Sequence, residues 1–206
     1  MGGTSIAGRD GSPRAGCQIA LIRVIGGGMT DNRTRLLAIL FAILAAAFLR
    51  LVPHPPNFGP VGALALFSGA MLGKRWLAFA APLGALVISD LVLGFYPELV
   101  FVYASVVAIV LIGWVVAKRK SALTIAAAAI ASSILFFAVT NFGVWLVMDY
   151  YPKTVAGLTA CYVAAIPFFQ NTVASDLFYA GLLFGGFALA ERLLPGLREA
   201  PRPQLA

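Results

Sequence analysis

The sequence predicts an all-α polytopic membrane protein, and three observations indicate this fold class. The chain of 206 residues is 61% hydrophobic and 11% charged, whereas a soluble domain carries about 25% charged residues. Six apolar stretches follow one another between residues 34 and 194, and nearly all Lys and Arg residues lie in the connections on one side of them. Because a bilayer offers no partners to backbone polar groups, we expect the stretches to be helices.

Each of the six spans is assigned from its apolar run and its polar flanks. A helix needs about 20 residues to cross the hydrocarbon core. The second stretch is shorter, so we expect it to use flanking residues or to lie where the membrane is thin. The six predicted transmembrane helices are residues 34–52, 60–73, 76–95, 98–117, 121–147 and 172–194.

The segment 150–170, between the fifth and sixth spans, is interpreted differently. Its apolar core is short, follows Pro152 and is interrupted by Pro167. If it crossed the membrane, the C-terminal cations would move to the outer side, against the positive-inside rule. We therefore predict a re-entrant or interfacial segment before the last helix, placed as a lid over an outer pocket.

The charges outside the spans predict the orientation. Of the 15 Lys and Arg residues, only Arg50 and Lys153 fall on the side opposite to the rest. Positively charged connections stay in the cytoplasm, so both termini are predicted to be cytoplasmic in a bacterial inner membrane. The cations are divided among four short segments, which favours the lipid bilayer as a partner and excludes nucleic acid.

The domain organisation follows from the same composition. Residues 1–30 are rich in Gly and carry Arg and Ser, which predicts a disordered N-terminal tail or an extension from an upstream start. Residues 31–195 would form one six-helix membrane domain, and residues 196–206 would form a cytoplasmic tail.

Polar side chains inside the spans predict the functional site. A carboxylate at membrane depth is costly and normally faces a cavity or the bundle interior. On the predicted topology these residues share one depth near the outer surface, which favours an outward-facing pocket. Helix capping or hydrogen bonding across the bundle is the alternative for each residue taken singly. The predicted substrate-binding residues are Asn57, Asp90, Asn141, Asn171 and Asp176.

No cofactor and no metal site are predicted. Cys17 and Cys161 lie far apart and do not have the spacing of metal ligands. Cys161 and His54 are weak candidates for metal ligands. The chain has no GxxxxGK[ST] phosphate-binding motif. ATP coupling would therefore have to come from a partner protein, or the protein would act as a slow facilitator.

Small residues recur at four-residue spacing in the first span. Such residues allow a partner helix to approach closely, which predicts a face for packing against another membrane helix. They are Ala38, Ala42 and Ala46.

Several motifs resemble an uncharacterised bacterial membrane family described only by a supposed role in transport. The similarity covers roughly residues 36–192, and its most specific motif is YPKTVAGLTACYVAAIPFFQNT at residues 151–172. The other similar stretches are NFGPVGALALFSGA, SDLVLGF, TNFGVWL and DLFYAGLLFGGFALAER.

More distantly, the layout is similar to the substrate-binding S components of energy-coupling factor (ECF) transporters. That resemblance implies an S-component-like bundle that captures a vitamin or its precursor from outside. It also implies docking through the first helix on a transmembrane coupling subunit with ATPases. It transfers no substrate-binding residue.

We therefore expect a protein that is not an enzyme. It would bind a vitamin-like or other partly hydrophobic nutrient in an outward-facing pocket and take it up across the inner membrane. Two alternatives remain open. Asp90 and Asp176 could form the catalytic pair of an intramembrane enzyme, although their flanking residues differ from those of aspartyl intramembrane proteases. The chain could also be a structural subunit of a membrane complex, with the polar cluster as its assembly site.

Overall fold

The computed structural model describes residues 33–53, 55–73 and 76–198. Within these ranges the chain forms helices joined by short connections and contains no strand, which confirms the all-α prediction. The predicted N-terminal tail lies outside the described residues, as does the predicted C-terminal tail beyond residue 198. The helices are α1 (residues 33–48, continued by a 3-10 turn at Leu49–Leu51), α2 (Val61–Leu72), α3 (Leu77–Leu93), α4 (Leu99–Lys118), α5 (Ala122–Val147), α6 (Val155–Ala180) and α7 (Gly186–Leu193).

Four of these helical stretches are long and apolar enough to cross a membrane: Arg33–Leu51, Leu99–Lys118, Ala122–Val147 and Val155–Leu193. The helices α2 and α3 have 12 and 17 residues, which makes them about 18 and 26 Å long. The hydrocarbon core is about 30 Å thick. The chain is thus a helical membrane protein, and its described residues contain four candidate spans, whereas the sequence predicts six.

The prediction of a re-entrant or interfacial segment before the last helix is wrong. Residues 155–193 form one helix of 39 residues, in which α6 continues through a π-helical turn at Gly181–Gly185 into α7. Pro167 lies inside α6 without ending it. This helix is about 58 Å long, so it extends well beyond the hydrocarbon core. The prediction failed because it took Pro167 as a boundary and so treated two parts of one helix as two separate elements.

Large apolar side chains cover the outside of the bundle, as a lipid environment requires. Phe41, Leu123 and Val155 are 73%, 81% and 82% exposed, respectively. The core is equally apolar, so helices α2 to α5 are apolar on nearly all faces, as expected for membrane spans. This pattern supports the membrane assignment that hydropathy predicts.

The helix α2 is the centre of the bundle. All of residues 62–70 are buried, and α2 packs against α3, α4, α5 and α6. It crosses α4 where two glycines meet. A Cβ atom on Gly113 would lie 2.5 Å from the Leu66 carbonyl oxygen, and one on Gly69 would collide with the Val110 carbonyl. The two backbones therefore touch directly, which only glycine allows at these positions.

The small residues of α1 do not form one outward face. Ala46 is 5% exposed and belongs to the hydrophobic core with Ile39 and Ile43. Ala46 therefore packs inside this chain. Ala38 and Ala42 are half-buried and already pack against the chain's own core. Ile39 and Ile43 share the inward face of α1, while the larger Phe41 and Phe48 face outward, so packing shape rather than apolar area decides which side of α1 is buried.

Candidate functional site

A cavity of about 180 Å³ lies between helices α5 and α6, beside the end of α1 and the start of α2. It is somewhat larger than a cavity of about 150 Å³ that accommodates benzene, so it can hold a small molecule or one end of a larger one. The residues that line it are Arg50, Asn57, Gly59, Val61, Gly62, Phe136, Thr172, Ser175 and Asp176.

The loop before α2 forms one wall of this cavity. Proline residues keep the loop from continuing either helix, because proline lacks an N–H donor. The loop turns at Asn57, whose φ of 59° lies in the left-handed region that Asn tolerates better than most residues. Two side chains of α6 hold the loop in place. The Asn171 amide donates to the Pro56 carbonyl oxygen at 3.0 Å, and the Ser175 hydroxyl donates to the Gly59 carbonyl oxygen at 3.2 Å.

The Asp176 carboxylate is the one acidic group among the residues that line the cavity, and it is buried, with 2% exposure. Its Oδ1 accepts a hydrogen bond from the Ala63 N–H at 3.0 Å, and its Oδ2 accepts one from the Ser133 hydroxyl at 2.6 Å. Ala63 lies in the first turn of α2, where backbone N–H groups have no partner within the helix. Asp176 therefore caps α2 from another helix, and the positive end of the α2 dipole stabilises its charge.

Gly62 makes this close approach possible. A Cβ atom at this position would overlap the Asp176 carboxylate. A carboxylate offers about four acceptor positions, and the protein uses two of those on Asp176. Since Asp176 also lines the cavity, its remaining acceptor positions are available to a ligand there.

Arg50 connects the cavity to a second buried carboxylate. Its Nη1 donates to Asp90 Oδ1 at 2.6 Å and to the Ser89 hydroxyl. The Tyr103 hydroxyl donates to Asp90 Oδ2 at 2.9 Å. Asp90 is fully buried and has 0% exposure, but Arg50 lines the cavity. Asp90 therefore holds the guanidinium group at the cavity wall and does not reach the cavity itself.

Tyr96 lies beside this ion pair, in the connection between α3 and α4. Burial raises the pKa of its phenol, and the negative charge of Asp90 raises this pKa further, while Arg50 lowers it. The net shift is upward, so Tyr96 stays neutral at physiological pH.

The structure brings only part of the predicted set together. Asn57 and Asp176 line the cavity, and Asn171 holds its loop. Asn141 is not among the residues that line the cavity, so the structure does not bring it together with Asn57 and Asp176. The Asn141 side chain donates to the Phe137 carbonyl oxygen one turn back at 2.8 Å, so the amide is used within α5.

The weak metal-ligand candidates do not form a site in the described structure. Cys161 is buried, and its thiol donates to the Asn141 carbonyl oxygen at 3.5 Å. His54 lies outside the described residues. Within the described ranges, no group of three or more His, Cys, Asp or Glu side chains could hold a metal ion.

Sequence reasoning missed three residues that build the site: Arg50, Gly62 and Ser133. A signal was present for two of them. Arg50 is one of only two cations on the predicted outer side, and a lone cation beside a membrane-buried acid normally pairs with it. Ser133 stands next to Ser132 in an Ala-rich stretch of α5. Nothing in the sequence distinguishes Gly62 from the other glycines.

The fold and the cavity together define a helical membrane protein with a cavity among its helices that is lined by both polar and apolar residues. The chain belongs to DUF6580, a family of unknown function whose model matches residues 30–197. No curated protein and no solved structure matches it. Since the family description carries no activity, the cavity is the basis for a functional proposal.

Proposed function

We propose that the protein binds a small, partly hydrophobic molecule in this cavity and takes part in its uptake across the bacterial inner membrane. One observation carries the proposal. Asp176, a carboxylate that is almost fully buried, lines a cavity of about 180 Å³ together with Arg50. Ionisable groups at membrane depth that face a cavity mark the paths of substrates and ions.

The cavity wall suggests the chemistry of the ligand. Asp176 supplies hydrogen-bond acceptors and Arg50 supplies donors, while Phe136 and Val61 supply apolar contact. We expect a compact ligand with an ammonium or other donor group toward Asp176 and an acceptor group toward Arg50. A vitamin-sized ligand would need more room. The loop at residues 55–60 would then have to move, which would break the two side-chain hydrogen bonds that hold it to α6.

The short length of α2 supports an outward-facing cavity. Lys74 and Arg75 directly follow the C-terminal end of α2, and the positive-inside rule would place them in the cytoplasm. The N-terminal end of α2, about 18 Å away, would then lie within the membrane, roughly 12 Å below the outer boundary of a core about 30 Å thick. A cavity above that end would open toward the outer side.

The energy source would have to come from a partner. The chain has no phosphate-binding loop motif, so a transmembrane coupling subunit with ATPases, as in ECF transporters, would supply the coupling. This S-component-like arrangement is part of the proposal. Without such a partner the protein would equilibrate its ligand across the membrane.

The catalytic-pair alternative has less support. A pair of aspartates that shares a proton has its carboxyl groups about 3 Å apart. Among the described hydrogen bonds, Asp90 is held by Arg50 and Tyr103, and Asp176 by Ser133 and Ala63. Each carboxylate therefore has its own set of partners. No observation favours a purely structural subunit.

The Asp176→Asn variant is expected to weaken ligand binding about 10- to 100-fold. It removes a charge-assisted hydrogen bond, which contributes about 1.5–3 kcal/mol. The ligand is found first by native mass spectrometry of the purified protein and by thermal-shift screening of small amines, amino acids and vitamins. Affinity is then measured by calorimetry in detergent.

Two further variants make this test specific. Asn141→Ala is the matched control, because it removes a polar group of α5 that lies outside the cavity, and it should leave affinity unchanged. Thr172→Val removes one hydroxyl from the cavity wall with little change in shape, and it should weaken binding severalfold even if Asp176→Asn proves unstable. The proposal would be contradicted if all three variants bound the ligand with equal affinity. It would also be contradicted if none of the screened compounds stabilised the protein.

A further inference from the structure

A second cavity, of about 650 Å³, lies away from the candidate site, between the first turns of α5 and the continuous helix of α6 and α7. Its walls are apolar along most of its length, and its charged residues are gathered at one end. We call it the basic groove and define it by Lys120, Ile125, Leu177, Gly181, Phe184 and Arg192.

Missing side chains create this groove. Gly181 and Gly185 lie at the two ends of the π-helical turn that joins α6 to α7. A Cβ atom on either glycine would meet no atom within 4 Å. The glycines are therefore not required for close packing within this chain, and they leave an apolar channel beside Phe184 that another molecule can fill.

The charges at the end of the groove are mainly positive. Lys120 and Arg192 line it. The one acidic residue in the wall is Glu191. Its carboxylate accepts a hydrogen bond from Arg35 at 3.4 Å, which compensates its charge. The end of the groove is thus suited to an anionic group.

The length of the groove matches one leaflet of a bilayer. The helix from Leu177 to Arg192 spans 15 residue steps, which is about 22 Å. Half of a bilayer, including the headgroup region, is about 20–22 Å thick. A molecule that fills the groove would have a charged end at the membrane surface and an apolar part that reaches toward the middle of the membrane.

We infer that the basic groove binds an anionic phospholipid. The phosphate lies at Lys120 and Arg192, and an acyl chain lies along Gly181 and Gly185. Basic pockets between transmembrane helices recognise anionic lipid headgroups in this way. The inference does not depend on the ligand of the other cavity.

The test is a titration of the purified full chain in mild detergent, once with phosphatidylglycerol and once with phosphatidylcholine. The number of bound lipids is measured by native mass spectrometry. We expect one phosphatidylglycerol to bind well before phosphatidylcholine does. The double variant K120Q/R192Q should bind it about 25-fold more weakly, since each cation near a membrane surface contributes about fivefold. The control K118Q/R119Q removes the same charge from the end of α4 and the residue after it, which do not line the groove, and should keep at least half of the affinity.

A variant of the apolar wall separates the groove from general surface charge. Gly181→Leu adds a side chain to open space within a helix, so the fold should tolerate it, and it should displace the lipid while all cations remain. The inference is overturned if K118Q/R119Q weakens binding as much as K120Q/R192Q does. It is also overturned if Gly181→Leu keeps full affinity, if the two lipids bind equally, or if the protein is a dimer whose interface covers the groove.

Discussion

Arg50→Met is expected to lower the free energy of unfolding by about 3–5 kcal/mol. Asp90 has 0% exposure, and Arg50 is the cation that pairs with it, at 2.6 Å. Removing one partner of a buried ion pair leaves the other charge unpaired in a medium of low polarity, and that is the costly step. The free energy of unfolding is measured by titrating the purified protein in mild detergent with SDS. Circular dichroism monitors the loss of structure.

The double variant Arg50→Met/Asp90→Asn separates the effect of the unpaired charge on stability from the effect of side-chain size. Without an unpaired charge, it should recover at least half of the stability lost in Arg50→Met. Lys118→Met is the matched control, because it removes an exposed cation at the end of α4, and it should change the free energy of unfolding by less than about 0.5 kcal/mol. If Arg50→Met behaves like this control, the Arg50–Asp90 pair does not hold α1 to α3.

Gly113→Ala is expected to destabilise the protein by about 1–3 kcal/mol, the cost typical of overpacking a well-packed interior. The new Cβ would lie 2.5 Å from the Leu66 carbonyl oxygen and 2.8 Å from the Ala70 backbone nitrogen. Both are backbone atoms, so the crossing of α2 and α4 would have to open. Because the start of α2 forms part of the cavity wall, ligand affinity should fall as well.

Gly84→Ala in α3 is the control for this substitution. A Cβ atom at Gly84 meets nothing within 4 Å, so replacing glycine inside a helix should stabilise the protein by about 0.5–1 kcal/mol. The two variants make the same chemical change and are expected to have effects of opposite sign in the same SDS titration. A stabilising Gly113→Ala would show that the α2–α4 backbones are not in contact.

The candidate site shows how far sequence patterns reach. The rarity of carboxylates at membrane depth correctly indicated Asp90 and Asp176 as buried groups with important partners. It did not indicate which of them reaches a cavity. Asp176 binds Ala63, 113 positions away in the chain, and Asp90 binds Arg50, 40 positions away. Such pairings depend on how helices pack, and no spacing in the sequence encodes them.

The last helix shows where local patterns mislead. Proline inside a helix removes a hydrogen bond and costs about 3 kcal/mol in water, so Pro167 was interpreted as a boundary. In a membrane bundle, neighbouring helices and side chains can satisfy the freed backbone groups. The helix Val155–Leu193 therefore continues through Pro167, which converts the predicted lid into the first half of a long helix.

Composition and hydropathy by themselves determined that the chain is a helical membrane protein and where five of its helices lie, because the cost of placing polar groups in lipid acts on each residue locally. Only the tertiary structure decided that α6 and α7 form one continuous helix, that α2 is buried at the centre, and that Asp176 rather than Asp90 faces the cavity. These features arise from contacts between helices, such as the glycine crossing of α2 and α4. Their energies depend on shape and distance between residues far apart in the chain.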